Sequence, residues 1–344
     1  MIASRRSRLA RIQAELVGGA LARLHPRVAV EYRWIESEGD RTGDTALADR
    51  GGKGLFTRAL EQAVLKGEAD LAVHSLKDLP ARDTPGLNIA AIPRRADVHD
   101  CLIARDGART IQTLAEHAIV GTSSPRRAAQ LLRLRPDLRV VPLRGNVETR
   151  LDKVLQPAPG APQQLDATLL AAAGLHRLGV LDAAHHHAVP VEQVLPAACQ
   201  GALAIQCRTD DHVTLTRCLP LNDPAAATAV HAERTVLAEL GASCYSPISV
   251  LAEPAEPAEP PRRQSDAHWF RLRARVLSDD GQVCLDIDQK TRSKDLRRLV
   301  KQTIKQLIDQ GARRLLTESR GVRPATSTSS WTTHPEPAAP TRLG

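Results

Sequence analysis

Short apolar runs alternate with amphipathic segments through the first two thirds of the chain, and this alternation limits the possible folds more than any other feature. HAIVGTSSPRRAAQLLRLRP, LRVVPLRGNVETRLDKVL and ATLLAAAGLHRLG each read as strand, loop and helix, and ADLAVHSLKDLP leads from a short apolar strand into polar residues. Strands that alternate with helices predict α/β units with parallel sheets. Ligands bind beyond the carboxyl ends of strands in such sheets. The sequence therefore predicts a binding region where the charged loops follow these strands.

The first helix is predicted from SRLARIQAELVGGALARL. Leu9, Ile12 and Leu16 recur at helical spacing, and Ser7 can cap the first turn. VAVEYRWI follows as a strand, and TRALEQAVLKGEA as an amphipathic helix. These segments extend the α/β pattern to the start of the chain.

The pattern changes after about residue 215. HWFRLRARVLSDDGQVCLDIDQ predicts a hairpin that turns at Asp280-Gly281. SKDLRRLVKQTIKQLIDQG predicts a helix with one apolar stripe, ended by Gly311. We therefore expect a smaller α+β domain here. The proline- and glutamate-rich segment 253–266 is predicted to be an extended surface insertion, and the tail 321–344 to be disordered.

The basic composition leaves the partner open. The formal charge of +8 is compatible with nucleic-acid binding or with a solvated basic surface. The 47 basic residues are 39 arginines and 8 lysines, and aromatic residues make up only 2%, which leaves few surfaces for stacking against bases. GDRTGD and GGKGLF lack the spacing of a nucleoside-triphosphate loop. We predict no nucleic-acid partner.

The cellular setting is predicted from the N-terminus and the cysteines. The first residues, MIASRRSRLARIQAEL, lack the apolar segment of a signal peptide, and no window has 18 apolar residues. The six cysteines are scattered without a CxxC pair, which argues against disulfides and structural zinc. The consecutive histidines 185–187 cannot all face one metal on a helix, so a solvated turn is expected. These features predict a cytoplasmic protein without membrane or metal.

An arginine-rich segment follows one of the predicted strands. Residues 121–150 contain seven arginines and no lysine, opposed only by Asp137 and Glu148. Ser124 can cap a helix that starts at Pro125, so backbone N–H groups, hydroxyls, Arg126 and Arg127 should converge at a helix N-terminus. Arginine presents a planar fork that matches carboxylate or phosphate. A capped helix with solvated arginines is the alternative, and a cleft for anions is the preferred interpretation.

Side chains at two further positions could take part in a chemical reaction. Lys77 and Asp78 lie just beyond the apolar strand in VHSLKDLP. A carboxylate there should stay ionised among arginines, and could stabilise positive charge or move protons; a surface ion pair in a turn is the alternative. Cys244, in LGASCYSPIS, is predicted in a loop, where a thiol is more available for covalent chemistry than in a strand.

Taken in order, these segments resemble the porphobilinogen deaminase (hydroxymethylbilane synthase) family of tetrapyrrole biosynthesis. The most specific are GGKGLF, ADLAVHSLKDLP, VGTSSPRR, LRGNVETRL, AAAGLHRLG, LPAACQGAL and GASCYSPI, and the match covers roughly residues 2–320. The resemblance implies two domains like those of periplasmic binding proteins, joined by hinge crossovers, and a small C-terminal α+β domain. The boundaries expected are 1–93 with 196–214, 94–195, and 215–320.

The resemblance also implies the chemistry. Four porphobilinogen molecules would add head-to-tail, each losing ammonia, to one dipyrromethane cofactor held by a thioether at Cys244, and hydrolysis would release hydroxymethylbilane. Asp78 would be the catalytic aspartate of a monomeric enzyme. The residues that would bind cofactor and substrate are Arg5, Ser7, Lys53, Phe56, Ser75, Lys77, Thr122, Ser123, Ser124, Arg126, Arg127, Arg144, Asn146, Arg150, Arg177 and Gln200.

The chain departs from the family pattern near the cysteine and at one crossover. Ala242 and Ser243 replace two usual glycines, and Ser249 replaces a third; if the loop required positive φ there, these residues would be strained. Cys199 stands where the family has glycine in LPAACQG. A non-catalytic sensor of a polycarboxylated ligand is the alternative function, and it would need the arginines but neither Asp78 nor Cys244.

Overall fold

A computed structural model describes residues 1–36, 57–158, 160, 164–182, 184–243, 245–256 and 268–319. Lys53, Phe56, Cys244, most of the proline- and glutamate-rich segment and the predicted disordered tail lie outside the described residues. The described part confirms the predicted fold class, because two α/β units are followed by a smaller α+β unit. None of the described helices has the length and apolar character needed to cross a membrane.

The first α/β unit is built on a sheet of order β2-β1-β3-β10-β4. Its strands are β1 Ile2–Arg5, β2 Tyr32–Ile35, β3 Leu71–Ser75, β4 Leu87–Ala91 and β10 Leu203–Arg208. Its helices are α1 Arg8–Leu24, α2 Arg58–Leu65 and α6 His212–Cys218. All five strands lie within the predicted boundaries 1–93 and 196–214, which otherwise stay a prediction.

The second α/β unit repeats the same arrangement, with strand order β7-β6-β8-β5-β9. Its strands are β5 Asp100–Ala104, β6 Ile119–Gly121, β7 Arg139–Val141, β8 Ala167–Ala171 and β9 His186–Val189. Its helices are α3 Pro125–Leu134, α4 Val147–Leu155 and α5 Ala172–Leu178. The chain thus passes from the first sheet to the second between β4 and β5, and returns between β9 and β10.

The prediction that the sheets are parallel was wrong, because both sheets are mixed. β10 runs antiparallel to β3 and β4, and β5 runs antiparallel to β8 and β9. The chain reaches both β5 and β10 through a crossover from the other unit. Each of these two strands therefore enters its sheet beside the carboxyl ends of the neighbouring strands. The register shows this directly, since Leu203 pairs with Ser75 and Asp100 pairs with Ala171.

The predicted helix α1 forms, but its predicted apolar face was wrong. The buried side chains include Ala14, Val17 and Leu21, whereas Leu16 is 53% exposed. Ala14, Val17 and Leu21 pack in one core cluster with residues of the sheet. Leu9 lies on another side of α1, where it approaches Gly174 of the second unit.

The two crossovers run close together and contact the C-terminal unit. The buried Glu233 carboxylate accepts hydrogen bonds from Arg95 of the first crossover and from the backbone N–H of Cys199 in the second. Cys199 has φ of 63° and Gly201 has φ of 84°, and a Cβ at Gly201 would lie 2.4 Å from the Ala96 carbonyl oxygen. Only glycine fits position 201 without displacing the first crossover.

The C-terminal unit packs helices against a three-stranded antiparallel sheet. Its elements are α7 Pro224–Leu240, β11 Ile248–Ala255, β12 Trp269–Leu277, β13 Cys284–Arg292, α8 Leu296–Asp309 and α9 Ala312–Glu318. The predicted hairpin and apolar helix are confirmed. The predicted surface insertion was placed too early, because residues 253–255 belong to β11 and pair with β12.

Candidate functional site

The predicted binding region lies at the carboxyl ends of the strands β3 and β6, close to the two crossovers. β3 ends at Ser75 and continues into a single 3-10 turn, Leu76–Asp78. β6 ends at Gly121, and the loop after it leads into α3, which we call the arginine helix. As predicted, Ser124 caps this helix, with its hydroxyl 3.5 Å from the Arg127 N–H, and Pro125 is its first residue. Two loops with the predicted polar residues therefore stand at strand ends.

A buried carboxylate, Asp100, holds both arginines of this helix. Arg126 donates to one oxygen at 2.8 Å and Arg127 donates to the other at 2.7 Å. Asp100 is completely buried, and the two guanidinium groups hold the pKa of its carboxyl far below the usual range against the opposing effect of burial. Asp100 was not predicted, because its only signal in the sequence is an acidic residue at the start of the apolar strand DCLIA.

Gln200 joins this arginine cluster to the first sheet. Its buried side-chain amide donates to Asp100 at 2.9 Å, and its carbonyl oxygen accepts from Lys77 Nζ at 3.2 Å. The chain Lys77–Gln200–Asp100–Arg126/Arg127 therefore connects the end of β3, the second crossover, the start of β5 and the arginine helix. The structure thus brings the predicted residues Lys77, Gln200, Arg126 and Arg127 together from both units, through a carboxylate that was not predicted.

Lys77 is surrounded by protein and lies near charges of both signs. Burial, together with the charge of Arg127, lowers the pKa of Lys77 to about 8. Asp78 and Asp100 oppose this shift but do not cancel it. A carboxylate bound beside Lys77 would stabilise its charged form.

Asp78 is exposed at the end of the same turn, and its carboxylate makes no hydrogen bond within the described residues. His74 lies beneath it in β3. Burial lowers the pKa of His74 to about 4, so the ring is neutral near pH 7, and its Nε2 lies 3.1 Å from Gln206 Oε1. The carboxylate of Asp78 is thus open to solvent on a turn that the buried sheet supports.

Several other predicted residues have structural contacts. The Ser75 hydroxyl is hydrogen-bonded to Gln13, and the Ser123 hydroxyl donates to the Leu143 carbonyl at 3.1 Å. Thr122 Oγ1 accepts from the Ser124 N–H. Arg177 donates to the Gly201 carbonyl at 2.8 Å. These bonds shape the loops around the crossovers.

The second predicted arginine turn faces the start of α1. Asn146 precedes α4 and Ser7 precedes α1, although neither side chain caps its helix. Arg8 lies 3.5 Å from Glu148, which places the two helix N-termini next to each other across the units. Arg150 donates to the Gly145 carbonyl, and Arg144 is partly exposed. No described hydrogen bond links this group, or Arg5 at the end of β1, to the Lys77–Asp100 chain.

The loop around position 244 connects α7 to β11. Cys244 itself lies outside the described residues, so its predicted loop position stays a prediction. Among the described non-glycine residues, positive φ is found only at His117 and Cys199. Ala242, Ser243 and Ser249 therefore do not carry the strain that the missing glycines could have caused.

The prediction of a solvated turn at histidines 185–187 was wrong for two of them. His186 and His187 belong to β9, and His186 is buried. Their side chains point to opposite faces because successive residues of a strand alternate. A metal site shared by these two rings is therefore excluded by their geometry.

The polar groups at these strand ends match a ligand with carboxylates. Arg127 Nε is buried without a hydrogen-bond partner among the described residues, although a guanidinium has five donors to satisfy. Lys77 lies close enough to Arg127 for its pKa to be lowered. A cofactor that carries acetate and propionate groups would supply the missing acceptor and the missing negative charge.

Fold and site together define an α/β protein with an added C-terminal domain, in which Lys77 and two buried arginines meet near the carboxyl ends of the strands. Residues 1–216 match the family description "Porphobilinogen deaminase, dipyromethane cofactor binding domain", and residues 227–309 match "Porphobilinogen deaminase, C-terminal domain". The chain belongs to the porphobilinogen deaminase family.

Curated relatives support this assignment over most of the chain. A porphobilinogen deaminase of Streptococcus sanguinis is 39% identical over 316 residues, which are 90% of this chain and 96% of that protein. One from Thermobifida fusca is 46% identical over 290 residues, 84% of each chain. Among solved structures, a TRAP periplasmic solute binding protein from Desulfovibrio salexigens has 10% identity and a TM-score of 0.35, covering 64% of this chain and 72% of that one.

The predictions of family, enzyme class and cofactor are therefore confirmed. The protein is a transferase of tetrapyrrole biosynthesis that uses a dipyrromethane cofactor.

Replacing Asp100 with Asn should strongly destabilise the fold. The change leaves two buried guanidinium groups without a counter-charge, and breaking a buried ion pair on one side costs about 3–5 kcal/mol. Urea unfolding followed by circular dichroism measures the effect. Asp288→Asn is the control, because both oxygens of Asp288 also accept hydrogen bonds from arginine, here from Arg271 alone, but at an exposed site, so the change should shift the midpoint little. Equal midpoints for the two variants would contradict this role of Asp100.

Proposed function

We propose that the cleft between the two α/β units is the place where four porphobilinogen molecules are joined head-to-tail, with Asp78 as the catalytic group. One observation carries this assignment. An exposed carboxylate, Asp78, stands next to Lys77, which is linked through Gln200 and Asp100 to two arginines of the opposite unit. The cleft thus combines one negative group with several positive ones.

The positive groups suit the carboxylates of substrate and cofactor. Each pyrrole carries an acetate and a propionate, and guanidinium forks bind carboxylates in a two-pronged manner. Arg126 and Arg127 are already oriented by Asp100, so they would bind with little loss of conformational freedom. Lys77, Arg144, Arg150, Arg177 and Arg5 would supply further positive charge, with Ser75, Thr122, Ser123 and Ser124 as hydroxyl donors. Lys53, Phe56, Ser7, Asn146 and Gln200 complete the proposed lining.

Cys244 is proposed as the attachment point of the dipyrromethane, through a thioether. When bound, the cofactor supplies the nucleophilic pyrrole carbon to which the first substrate is joined. The flanking loop favours this position, because Gly241 ends α7 and the Ser243–Ser246 turn leaves Tyr245 exposed at its surface. Among the described cysteines, Cys199 is the contrasting case, because burial and the nearby Glu233 charge strongly raise the pKa of its thiol. A buried, protonated thiol is a poor nucleophile.

Asp78 would act on the pyrrole nitrogen and its charge. Its carboxylate can accept a hydrogen bond from a pyrrole N–H and stabilise the positive charge that the substrate develops as ammonia leaves. The same group can take up and return a proton during deamination and coupling. Solvent exposure of the carboxylate leaves it free to contact the substrate.

The remaining parts of the proposal concern the setting of the enzyme. We infer a monomer in the cytoplasm that acts on porphobilinogen. The thiols of Cys101, Cys199, Cys207, Cys218 and Cys284 are free, as is usual in a reducing compartment. A non-catalytic sensor has no observation in its favour beyond the arginines.

Substitution of Asp78 tests the catalytic role. Asp78→Glu keeps the charge but displaces it, and a misplacement of ~1 Å can lower the rate on the order of a hundredfold. Asp78→Asn should lower turnover further, since a neutral amide can neither balance a cation nor accept its proton. Turnover of porphobilinogen is measured on protein that carries the cofactor, as determined by mass. Asp83→Asn is the control, because Asp83 is an exposed acid that follows Asp78 by five residues and pairs with Arg234. Near-native turnover of Asp78→Asn would refute this assignment.

Lys77 should make carboxylate binding depend on pH. Its pKa in the unliganded cleft is about 8, so the lysine is charged below that pH and becomes neutral above it. Binding of a carboxylate favours the charged form, and affinity should therefore fall as pH rises through 8, by up to about tenfold per pH unit. The measurement is calorimetric binding of benzene-1,3,5-tricarboxylate to cofactor-free Cys244→Ser protein between pH 6.5 and 9.5. Lys77→Arg stays charged and should remove the inflection near pH 8; an inflection that persists would contradict the role of Lys77.

A further inference from the structure

Gln130 lies at the centre of a buried polar cluster between the arginine helix and the C-terminal unit. Its Oε1 accepts hydrogen bonds from the Leu195 N–H at 2.8 Å and from Arg275 NH1 at 3.1 Å. Its Nε2 donates to the Leu195 carbonyl at 3.0 Å and to Ser249 Oγ at 3.3 Å. The orientation of the amide is fixed, because exchanging its ends would place a donor against the Leu195 N–H. We call Gln130, Leu195, Ser249 and Arg275 the Gln130 cluster.

Arg126 shares an acceptor with this cluster. The Leu195 carbonyl oxygen accepts from Arg126 NH1 at 2.8 Å, from Gln130 Nε2 and from the Ser249 hydroxyl at 2.9 Å. The other end of the Arg126 guanidinium is bonded to Asp100. The position of the Leu195 carbonyl therefore sets one of the two fixed points of this guanidinium.

The C-terminal unit contributes two neighbouring side chains to the cluster. Ser249 is completely buried in β11, five positions after Cys244 in the sequence, and pairs in register with Arg275 of β12. Ser249 contacts the amide nitrogen of Gln130, and Arg275 contacts its amide oxygen. Arg275 is itself paired with Asp286. The sheet that follows the cysteine loop thus contacts both ends of one glutamine on the arginine helix.

We propose that Gln130 and Ser249 are positioning residues for Arg126, which fix the arginine helix relative to the strand that begins after the cysteine loop. This rests on the proposed function, in which Arg126 binds a carboxylate. In the proposed function, Arg126 and the Cys244 loop both contact the dipyrromethane. The position of Arg126 relative to that loop therefore decides how well a carboxylate of the cofactor reaches the guanidinium. Loss of the hydroxyl of Ser249 would let Arg126 shift while Asp100 still holds its other end.

The test compares Ser249→Ala and Gln130→Met with Thr303→Val. Thr303 has a buried hydroxyl in the same unit with no hydrogen-bond partner among the described residues, so its loss should leave the cleft unchanged. Intact mass gives the fraction of purified chains that carry the cofactor. Steady-state kinetics of the loaded fraction separates KM from kcat, and urea unfolding reports stability.

A positioning role predicts that Ser249→Ala lowers the loaded fraction and raises KM about three- to tenfold, the effect of one hydrogen bond, while kcat changes little. Gln130→Met should act in the same direction and more strongly, and Thr303→Val should alter neither quantity. Unchanged loading and KM in Ser249→Ala would overturn the proposal, even if its unfolding midpoint fell, because that pattern is purely structural.

A double-mutant comparison separates this proposal from the proposed function. Arg126→Lys keeps the charge but cannot reach both Leu195 and Asp100, so it should raise KM by itself. Ser249→Ala should then add nothing in the Arg126→Lys background, because the two act through one guanidinium. A full, additive effect of Ser249→Ala would overturn positioning alone. Unchanged KM and loading in Arg126→Lys would show that the geometry of this guanidinium sets neither quantity; the positioning proposal would then fall, while the roles proposed for Asp78 and Cys244 would stand.

Discussion

The carboxylate of Asp100 is the interaction on which the arrangement of the cleft depends. It is buried, yet three side chains from two segments donate hydrogen bonds to it: Arg126, Arg127 and Gln200. A buried carboxylate with this surrounding is stable only while its partners stay in place. The arginine helix and the second crossover are therefore fixed relative to β5. Lys77 joins this group by donating a hydrogen bond to Gln200.

A second buried carboxylate, Glu233, has a similar role on the other side of the crossovers. It accepts hydrogen bonds from Arg95 and from two backbone N–H groups, those of Cys199 and Ala252. These contacts hold both crossovers against the C-terminal unit. The two acids together explain how a region rich in positive charge keeps a defined shape: Arg126 and Arg127 are paired with the buried Asp100, and Glu233 holds both crossovers from the side of the C-terminal unit.

Much of this could be predicted from the sequence, and the failures have physical reasons. Local signals were sufficient for the cap at Ser124, the hairpin at Asp280-Gly281 and the position of Lys77 and Asp78 after a buried strand. Asp100 and Gln130 could not be predicted, because their partners are distant in sequence and single buried polar residues have no periodic pattern. The mixed sheets were missed for the same reason, since β5 and β10 reach their sheets only through the crossovers.

The proposed function requires a covalent dipyrromethane attached at Cys244. The intact mass of the purified protein, combined with peptide mapping of the added mass, tests this requirement. We expect an excess equal to two linked pyrroles with their carboxylate side chains, located on the peptide that contains Cys244 and lost in Cys244→Ser. An unmodified mass in active protein, or an adduct located on Cys199 or any other cysteine, would contradict it.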